Sequence, residues 1–253
     1  MNAAPVVKIS GLNKRFGTGP RVLDGIDLEV SQGEFVSFIG PSGCGKSTLL
    51  RLIAGLTSAS EGRITIDGME PEKAREKMFF VFQDATLMPW RRVAENVELP
   101  LLLRGDAPAH RHERVGRMLE IVGLAGAAEK FPWQLSGGMR MRVSIARALS
   151  VAPEILLLDE PFGALDEMTR DRLNEDLLSI RSRDPFTGFF VTHSVAEAVF
   201  LSSRIVVLGA NPGRVTAVID VPFPYPRQSE LRETPAFLRL LATTAQALRA
   251  VRS

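Results

Sequence analysis

Two glycine-rich segments of this chain contain the residue types best suited to binding phosphate. The first is Gly40-Pro-Ser-Gly-Cys-Gly-Lys-Ser47, which fits the Gly-x4-Gly-Lys-Ser/Thr pattern of a nucleotide-triphosphate loop. Its surroundings fit as well, because residues 35–39 predict a buried strand before the loop and residues 48–54 predict a helix after it. The pattern and its context together predict a phosphate site.

The chemistry of this loop depends on its glycines and its lysine. Glycines allow backbone N–H groups to approach phosphate oxygens closely, and the positive end of the following helix faces the same anion. We expect Lys46 to reach the β- and γ-phosphates and the Ser47 hydroxyl to ligate Mg²⁺. The predicted nucleotide-binding residues of the loop are Gly40, Ser42, Gly43, Gly45, Lys46, Ser47 and Thr48.

Two acids follow an apolar segment later in the chain. Residues 155–158 predict a buried strand, which ends abruptly at Asp159 and Glu160. Ligands of an open parallel sheet gather at the carboxyl ends of its strands. We therefore expect Asp159 to hold Mg²⁺ and Glu160 to orient or deprotonate a water that attacks the γ-phosphate. An ordinary acidic turn is the alternative, and the phosphate loop in the same chain disfavours it.

The second glycine-rich segment is Leu135-Ser-Gly-Gly-Met139. Ser136 is a good N-cap for a helix predicted over residues 139–149, and Gly137 and Gly138 leave the amide donors of that helix uncovered. This arrangement could bind a second anion, although a serine and two glycines also begin ordinary helices. Two phosphate-binding ends in one chain need either two ligands or one shared ligand, and the pattern alone does not choose between them.

The first third of the chain is rich in predicted strands, and after the middle third strands alternate with helices, which predicts a mostly parallel sheet. The middle third has helical spacing of apolar residues, which predicts a helical insert over residues 84–150. A proline-rich link at residues 222–226 precedes a last helix predicted over 235–251. Further strands are predicted at residues 6–9, 26–30, 62–67, 79–82, 189–192 and 205–208.

Composition restricts the classes of function. The 253 residues include 31 Lys and Arg against 29 Asp and Glu, and a net charge of +2 does not support binding to nucleic acid. The single cysteine, Cys44, excludes a disulfide framework. Neither a membrane-length apolar segment nor a signal-peptide hydrophobic region is evident in the sequence. We expect a soluble cytoplasmic protein that reaches a membrane only through a partner.

From residue 6 to residue 218 the chain resembles the ATP-binding cassette ATPases, with Leu135–Met139 similar to that family's signature. The resemblance implies an α/β fold: a P-loop NTPase (RecA-like) core with a mostly parallel sheet, an N-terminal antiparallel β subdomain and an inserted helical subdomain. It places this domain at residues 1–221 and a C-terminal segment at 222–253. It also implies ATP as the nucleotide and a head-to-tail homodimer, in which each ATP lies between one phosphate loop and the partner's signature.

The resemblance assigns four further residues. Phe16 matches the aromatic residue that stacks on adenine, where tyrosine is commoner, although a phenylalanine in the core remains the alternative. Gln83 matches the glutamine that contacts Mg²⁺ and the water, so the implied metal ligands are Ser47, Gln83 and Asp159. Asp166 ends a loop, residues 163–166, that crosses the dimer interface, and is therefore an implied nucleotide-binding residue. His193 matches the histidine that contacts the γ-phosphate, so the implied catalytic residues are Lys46, Gln83, Glu160 and His193.

Other cues narrow the subfamily. Met139 stands where the family signature usually has glutamine, and this methionine is familiar among importers of nitrate, sulfonates and taurine. Residues 87–90, 161–166 and 211–214 resemble the same importers. The implied function is ATP-driven import of a small anion or sulfonate-like solute. The implied partners are integral membrane permease subunits and, indirectly, a periplasmic or lipid-anchored solute-binding protein, with no nucleic acid. The implied location is the inner face of the cell membrane, through the permease.

Alternative functions remain within and beyond this family. A non-transport ATPase, such as one for cluster assembly, fits the size of the chain. DNA-repair relatives insert a long coiled coil and ribosome-binding relatives carry tandem cassettes, and neither feature is present in the sequence. A P-loop kinase would not account for the signature or for His193. Half of an exporter is a further alternative, but such proteins usually carry membrane helices fused to the ATPase domain.

Overall fold

The computed structural model describes residues 5–163 and 165–251, which form two sheets and seven α-helices. Ala164, within the predicted interface loop, lies outside the described residues. The strands are β1 (Val7–Arg15), β2 (Arg21–Val30), β3 (Phe35–Ile39), β4 (Glu61–Ile66), β5 (Met78–Val81), β6 (Ile155–Asp159), β7 (Thr187–Val191), β8 (Arg204–Leu208) and β9 (Val215–Asp220). The helices are α1 (Lys46–Ile53), α2 (Val93–Leu103), α3 (Pro108–Ile121), α4 (Gly137–Ser150), α5 (Glu167–Arg183), α6 (Val195–Leu201) and α7 (Pro235–Ala250).

The larger sheet has the order β5-β6-β7-β3-β8-β9, with β9 antiparallel and the other strands parallel. The central strands β3, β6 and β7 are buried along their whole length, so they are continuous apolar runs. The predicted mostly parallel sheet is confirmed. Because β7 lies between β3 and β6, the carboxyl ends of these three strands bring distant parts of the chain to one edge.

The smaller sheet is antiparallel, in the order β2-β1-β4, as the family resemblance implied. Its first strand runs to Arg15 and so is longer than the predicted residues 6–9. The extension contains polar residues whose partners are distant in sequence: Asn13 Oδ1 accepts from the Gly25 N–H at 2.8 Å, and Lys14 donates to the Ser58 carbonyl at 2.6 Å. Local alternation could not predict this extension, because tertiary partners stabilise it.

Helices α2, α3 and α4 lie between β5 and β6 in the chain and pack on one another, as the predicted helical insert requires. The limits of the helical subdomain itself, residues 84–150, remain a prediction. Helix α4 begins at Gly137, two residues before its predicted start, because the Ser136 hydroxyl accepts a hydrogen bond from the Met139 N–H. The signature therefore forms the first turn of a helix.

The C-terminal segment packs against α6. Helix α7 begins at Pro235 as predicted, and Phe237 and Leu248 are buried on its inner face. The link before it contains Tyr225, whose hydroxyl donates to the Leu201 carbonyl at 2.6 Å, and the buried Arg227, which donates to the Phe200 carbonyl at 2.7 Å. The link thus satisfies carbonyl groups at the C-terminal end of α6. Among the described residues, no helix is long and apolar enough to cross a membrane.

Candidate active site

The phosphate loop connects β3 to α1 at the centre of the sheet. Gly45 has φ 94° at the start of α1, and a Cβ there would lie 2.6 Å from Leu23 Cδ2. Gly40 lies so close to β8 that a Cβ would be 2.4 Å from the Leu208 carbonyl oxygen. Gly45 is required because of its positive φ angle and its closeness to Leu23. Gly40 is required because a side chain there would clash with the Leu208 carbonyl.

Lys46 is held at the floor of this loop and is only 4% exposed. Its ammonium group donates to the carbonyls of Gly40 at 3.0 Å and Pro41 at 2.9 Å, and Cys44 Sγ lies 3.8 Å away. Within residues 5–163 and 165–251, no carboxylate forms an ion pair with Lys46. A buried cation with only neutral partners has a strong requirement for an anion, which a phosphate would satisfy.

The loop opens into a cleft of about 360 Å³. The opposite wall comes from the strand ends and carries Gln83, Glu160 and His193, so the fold brings these three predicted residues to the loop. Gln83 itself is exposed. The loop residues that line the cleft are Ser42, Gly43, Gly45, Lys46, Ser47 and Thr48, with Val22 beside them.

Ser47, in the first turn of α1, contacts Asp159 at the end of β6. The Ser47 hydroxyl donates a hydrogen bond to Asp159 Oδ1 at 2.7 Å. Asp159 is 4% exposed at the end of β6. A hydroxyl and a carboxylate are the hard oxygen donors that Mg²⁺ prefers, so the pair fits that ion. Among the described residues, no group of three or more His, Cys, Asp or Glu side chains could hold a metal. A magnesium ion here would complete its shell with phosphate oxygens and water.

Glu160 and His193 form a second pair, with His193 Nε2 2.7 Å from Glu160 Oε1. Glu160 has φ 49°, a left-handed backbone that is uncommon for a residue with a side chain, and its N–H donates to the Val191 carbonyl at 3.0 Å. Backbone strain of this kind concentrates at functional sites. The turn at Glu160 departs from the strand geometry of β6 immediately after Asp159, where the carboxylate of Glu160 contacts His193.

Phe16 follows β1 and is 53% exposed, which excludes the alternative of a phenylalanine in the core. The Lys14 ammonium lies 4.6 Å from the centre of its ring. Phe16 is not among the described residues that line the phosphate cleft. An exposed aromatic ring is nevertheless available for a planar ligand to stack on.

The signature residues lie apart from the phosphate cleft of their own chain. Ser136 and Gly137 are exposed, and none of the described lining residues of the cleft comes from 136–138. A Cβ at Gly138 would lie 2.8 Å from Leu165 Cδ2. The glycine therefore permits close packing of α4 against the loop that precedes α5. Within one chain, the start of α4 therefore does not contribute to the cleft beside the phosphate loop.

Asp166 has a structural partner within the chain. It is exposed and caps α5 by accepting a hydrogen bond from the Thr169 N–H at 2.9 Å. That hydrogen bond lowers the pKa of Asp166 below its ordinary value. Asp166 does not line the phosphate cleft, so its predicted contact with nucleotide depends on a second chain.

Arg147 supports the loop after Gln83 and is not among the residues predicted for the site. This buried arginine of α4 donates to the carbonyls of Ala85 and Thr86, each at 3.0 Å, and burial lowers its pKa. The signal was present in the sequence, since Arg147 interrupts an otherwise apolar stretch of α4. Arg147 thereby joins the signature helix to the segment that carries Gln83.

Comparison with known proteins identifies the family of this chain. A model of the ABC transporter family matches residues 23–163. The chain is 47% identical over 224 residues to the aliphatic sulfonates import ATP-binding protein SsuB of Bacillus cereus, covering 87% of this chain and 88% of that protein. It is 46% identical over 233 residues to the taurine import ATP-binding protein TauB of Sinorhizobium fredii, covering 89% and 86%.

A solved structure gives the same result for the fold. The ATP-binding cassette MJ0796, in a dimeric post-hydrolysis state bound to ADP and Pi, matches with a TM-score of 0.78 and 35% identity. The match covers 86% of this chain and all of that one. The chain therefore belongs to the ABC transporter family and is one of that family's ATP-hydrolysing subunits.

Proposed function

We propose that this ATPase powers an ABC importer for a small anion or a sulfonate-like solute. Two relatives support the direction of transport and the kind of solute, because SsuB is named for import of aliphatic sulfonates and TauB for import of taurine. In this proposal membrane permease subunits and a periplasmic or lipid-anchored solute-binding protein bind the solute. ATP closes a dimer of this chain, hydrolysis reopens it, and the permease uses the motion.

One observation carries the chemistry: two polar pairs meet beside the phosphate loop. In the first pair, Ser47 and Asp159 are 2.7 Å apart, and Gln83 lines the same cleft. We assign Mg²⁺ to these three residues. When bound, the ion neutralises charge on the β- and γ-phosphate oxygens. Lys46 adds a second positive charge from the floor of the loop.

The second pair, Glu160 and His193, performs the hydrolytic step in this proposal. His193 Nε2 holds Glu160 Oε1 at 2.7 Å, which leaves Oε2 to accept a hydrogen bond from the attacking water. A carboxylate so placed orients the water and takes its proton as the water oxygen bonds to the γ-phosphorus. The bond from that phosphorus to the bridging oxygen breaks in the same step, so ADP is the leaving group. The exposed ring of Phe16 would stack on the adenine, and the loop amides would hold the phosphates.

A head-to-tail homodimer explains the exposed signature. The N-terminal end of α4 offers uncovered amide groups at Gly137 and Gly138, and the chain's own cleft does not use them. A second copy would place its Ser136 against the γ-phosphate held by the first. The dimeric state of the similar cassette bound to ADP and Pi supports this arrangement.

A rigid exposed segment supports docking to the permease. Trp90 is 71% exposed and follows Leu87, Met88 and Pro89. The fully buried Asn96 fixes this turn, because its amide accepts from the Met88 N–H at 2.8 Å and donates to the Arg91 carbonyl at 3.1 Å. An aromatic anchor on a preorganised turn suits a protein partner. We place the chain on the inner face of the membrane through that contact.

The hydrolytic assignment is tested by Glu160→Gln. The amide cannot take a proton from water, so we expect turnover to fall by about 10²–10⁴-fold while ATP still binds, and ATP-bound dimers to accumulate. Steady-state ATPase rates, nucleotide affinity and light scattering measure the three quantities. Glu154→Gln, an exposed glutamate before β6, is the matched control. Turnover by Glu160→Gln at the unmodified rate would show that the assignment is wrong.

The proposed role in transport is tested on the assembled complex of this chain with its membrane and solute-binding subunits. In this test the chain is purified together with its permease and solute-binding protein and reconstituted in vesicles. We expect ATP-dependent uptake of taurine or an alkanesulfonate, which Glu160→Gln abolishes. ATP hydrolysis that responds neither to the permease nor to solute would instead favour a non-transport ATPase.

A further inference from the structure

A second cleft, of about 450 Å³, adjoins the phosphate cleft, and Gln83, Glu160 and His193 line both. Its lining also includes Arg170 of α5 and Glu197 of α6. Glu197 is 4% exposed, so a carboxyl group is buried within reach of the catalytic pair. Burying a carboxylate is costly, and the proposed hydrolytic step does not use this one.

Glu197 forms hydrogen bonds with both residues that flank His193 in the chain, Thr192 and Ser194. The Thr192 hydroxyl donates to Glu197 Oε2, and the same hydroxyl accepts from the Ser194 N–H at 2.9 Å. The Ser194 hydroxyl in turn accepts from the Glu197 N–H at 3.3 Å. The two neighbours of His193 in the chain are thus tied to one another and to Glu197, which restricts where the imidazole can lie.

The other oxygen of Glu197 faces α5. Oε1 lies 3.7 Å from Arg170 Nε and has no hydrogen-bond partner among the described residues. Arg170 also donates to the Leu165 carbonyl at 2.8 Å, in the loop that precedes α5. A movement of this loop would therefore displace Arg170 relative to Glu197 Oε1.

Two more charges lie near this carboxyl group. Arg232 of the C-terminal segment pairs with Asp171 of α5 at 3.0 Å. Burial is the largest influence on the pKa of Glu197 and raises it above its ordinary value. The Thr192 hydrogen bond, Arg170 and Arg232 lower this pKa, and Asp171 raises it.

We propose that Glu197 is a positioning residue for His193, and that through Arg170 it transmits the position of Leu165 to that histidine. The proposal rests on the catalytic role proposed above for His193. Glu197 is not among the described residues that line the phosphate cleft, so we expect it to affect the rate of hydrolysis rather than ATP binding. The loop that the resemblance places at the dimer interface would in this way influence the histidine of its own chain.

The test measures kcat and KM for ATP in the full chain carrying Glu197→Ala, Thr192→Val or Glu197→Gln. Small misplacements of catalytic groups cost up to about 10²-fold, so we expect the first two variants to lower kcat by about ten- to a hundredfold. Their KM should change less than about twofold, because the phosphate loop is untouched. The Gln amide oxygen still accepts from Thr192, so Glu197→Gln should retain more activity. Glu120→Gln, an exposed residue of α3, is the control.

A double-mutant cycle tests the link to Arg170. Arg170→Met should lower kcat in the unmodified chain and have little further effect in the Glu197→Gln background, because the ion pair is already lost there. Additive effects of the two changes would overturn that link.

Three outcomes separate this inference from the proposed function. If Thr192→Val and Glu197→Gln fold, bind ATP and turn over at the unmodified rate, the inference fails even where Glu197→Ala does not fold. If His193→Ala lowers kcat but these variants do not, only the inference is overturned. If His193→Ala itself leaves kcat unchanged, the catalytic role of His193 and the inference are both wrong.

Discussion

The two glycine-rich helix starts of this protein, at α1 and α4, have the same local chemistry but opposite surroundings. At α1, Lys46 is buried, and Gly45 packs against Leu23 of the smaller sheet. At α4, Ser136 and Gly137 are exposed, and the Ser136 hydroxyl serves only to cap its own helix. Similar backbone donors are therefore enclosed in one place and open in the other.

The difference lies in which elements surround each helix start. The end of α1 follows β3, so the sheet surrounds it with Asp159, Glu160 and His193 from neighbouring strands. The end of α4 belongs to the helices inserted between β5 and β6, and none of its signature residues lines the cleft. If both ends bind phosphate, the ligand of α4 belongs to another molecule.

Removing the enclosed charge should have the largest effect. Lys46→Ala deletes charged hydrogen bonds to phosphate, each worth about 1.5–3 kcal/mol, so we expect ATP affinity to fall at least tenfold and turnover to be lost. Titration with a fluorescent ATP analogue and steady-state ATPase assays measure both. Lys73→Ala, an exposed lysine after β4, is the control. Unchanged nucleotide affinity in Lys46→Ala would contradict the placement of the phosphate site.

Blocking the open end should separate binding from turnover. Ser136→Arg places a bulky cation at the start of α4 and leaves the phosphate loop intact. We expect monomers to bind ATP with unchanged affinity, while ATP-driven dimerisation and hydrolysis fail. Affinity measurements, light scattering and ATPase rates test the three parts. Normal hydrolysis by Ser136→Arg would argue against any role for the signature.

Mixing Ser136→Arg with Lys46→Ala sharpens this prediction. In a head-to-tail heterodimer one composite site carries both changes and the other carries neither, so hydrolysis should exceed the sum of the two separate variants. If each chain used its own signature, every site would carry one change and mixing would rescue nothing. A lack of rescue in confirmed heterodimers would mean that the sites are not shared or that both must fire together.

A smaller effect is expected at the edge of the enclosed site. Phe16→Ala removes an exposed ring, and an aromatic–base stack is worth about 1–3 kcal/mol, so ATP affinity should weaken by about five- to 150-fold. Phe16→Tyr keeps the stack and should bind like the unmodified chain. Equal ATP affinity in Phe16→Ala and the unmodified chain would remove adenine stacking from the assignment.

The smallest effect concerns stability and pH at Asp166. The Thr169 N–H lowers the pKa of this carboxylate, so its ionised form stabilises the folded chain above the ordinary pKa of 3.8, and that stability is lost as pH falls through the folded value. Asp166→Asn can still cap α5 without the charge. We expect the unmodified chain to have the higher Tm at neutral pH and the difference to shrink towards pH 3. A pH-independent difference would show that the charge is irrelevant to the cap.

Local chemistry made much of the fold and of the site predictable. The phosphate loop is a contiguous strand–turn–helix unit, so its residue types and spacing specify it, and β3 spans the predicted residues 35–39. Asp159 and Glu160 were recognisable because two acids follow a buried strand in a chain that also carries the phosphate loop. The predicted strands missed β9, whose residues are only half-buried at the sheet edge, and the extension of β1.

What the sequence determined by itself was the set of chemical groups; the tertiary structure decided which of them meet. The contact between Ser47 and Asp159 and the pairing of Glu160 with His193 follow from β7 lying between β3 and β6, an order set by long-range strand pairing. Glu197 is an ordinary helix residue until α5 and the 192–194 loop enclose it. Burial and partners are properties of packing between distant segments, and local patterns do not contain them.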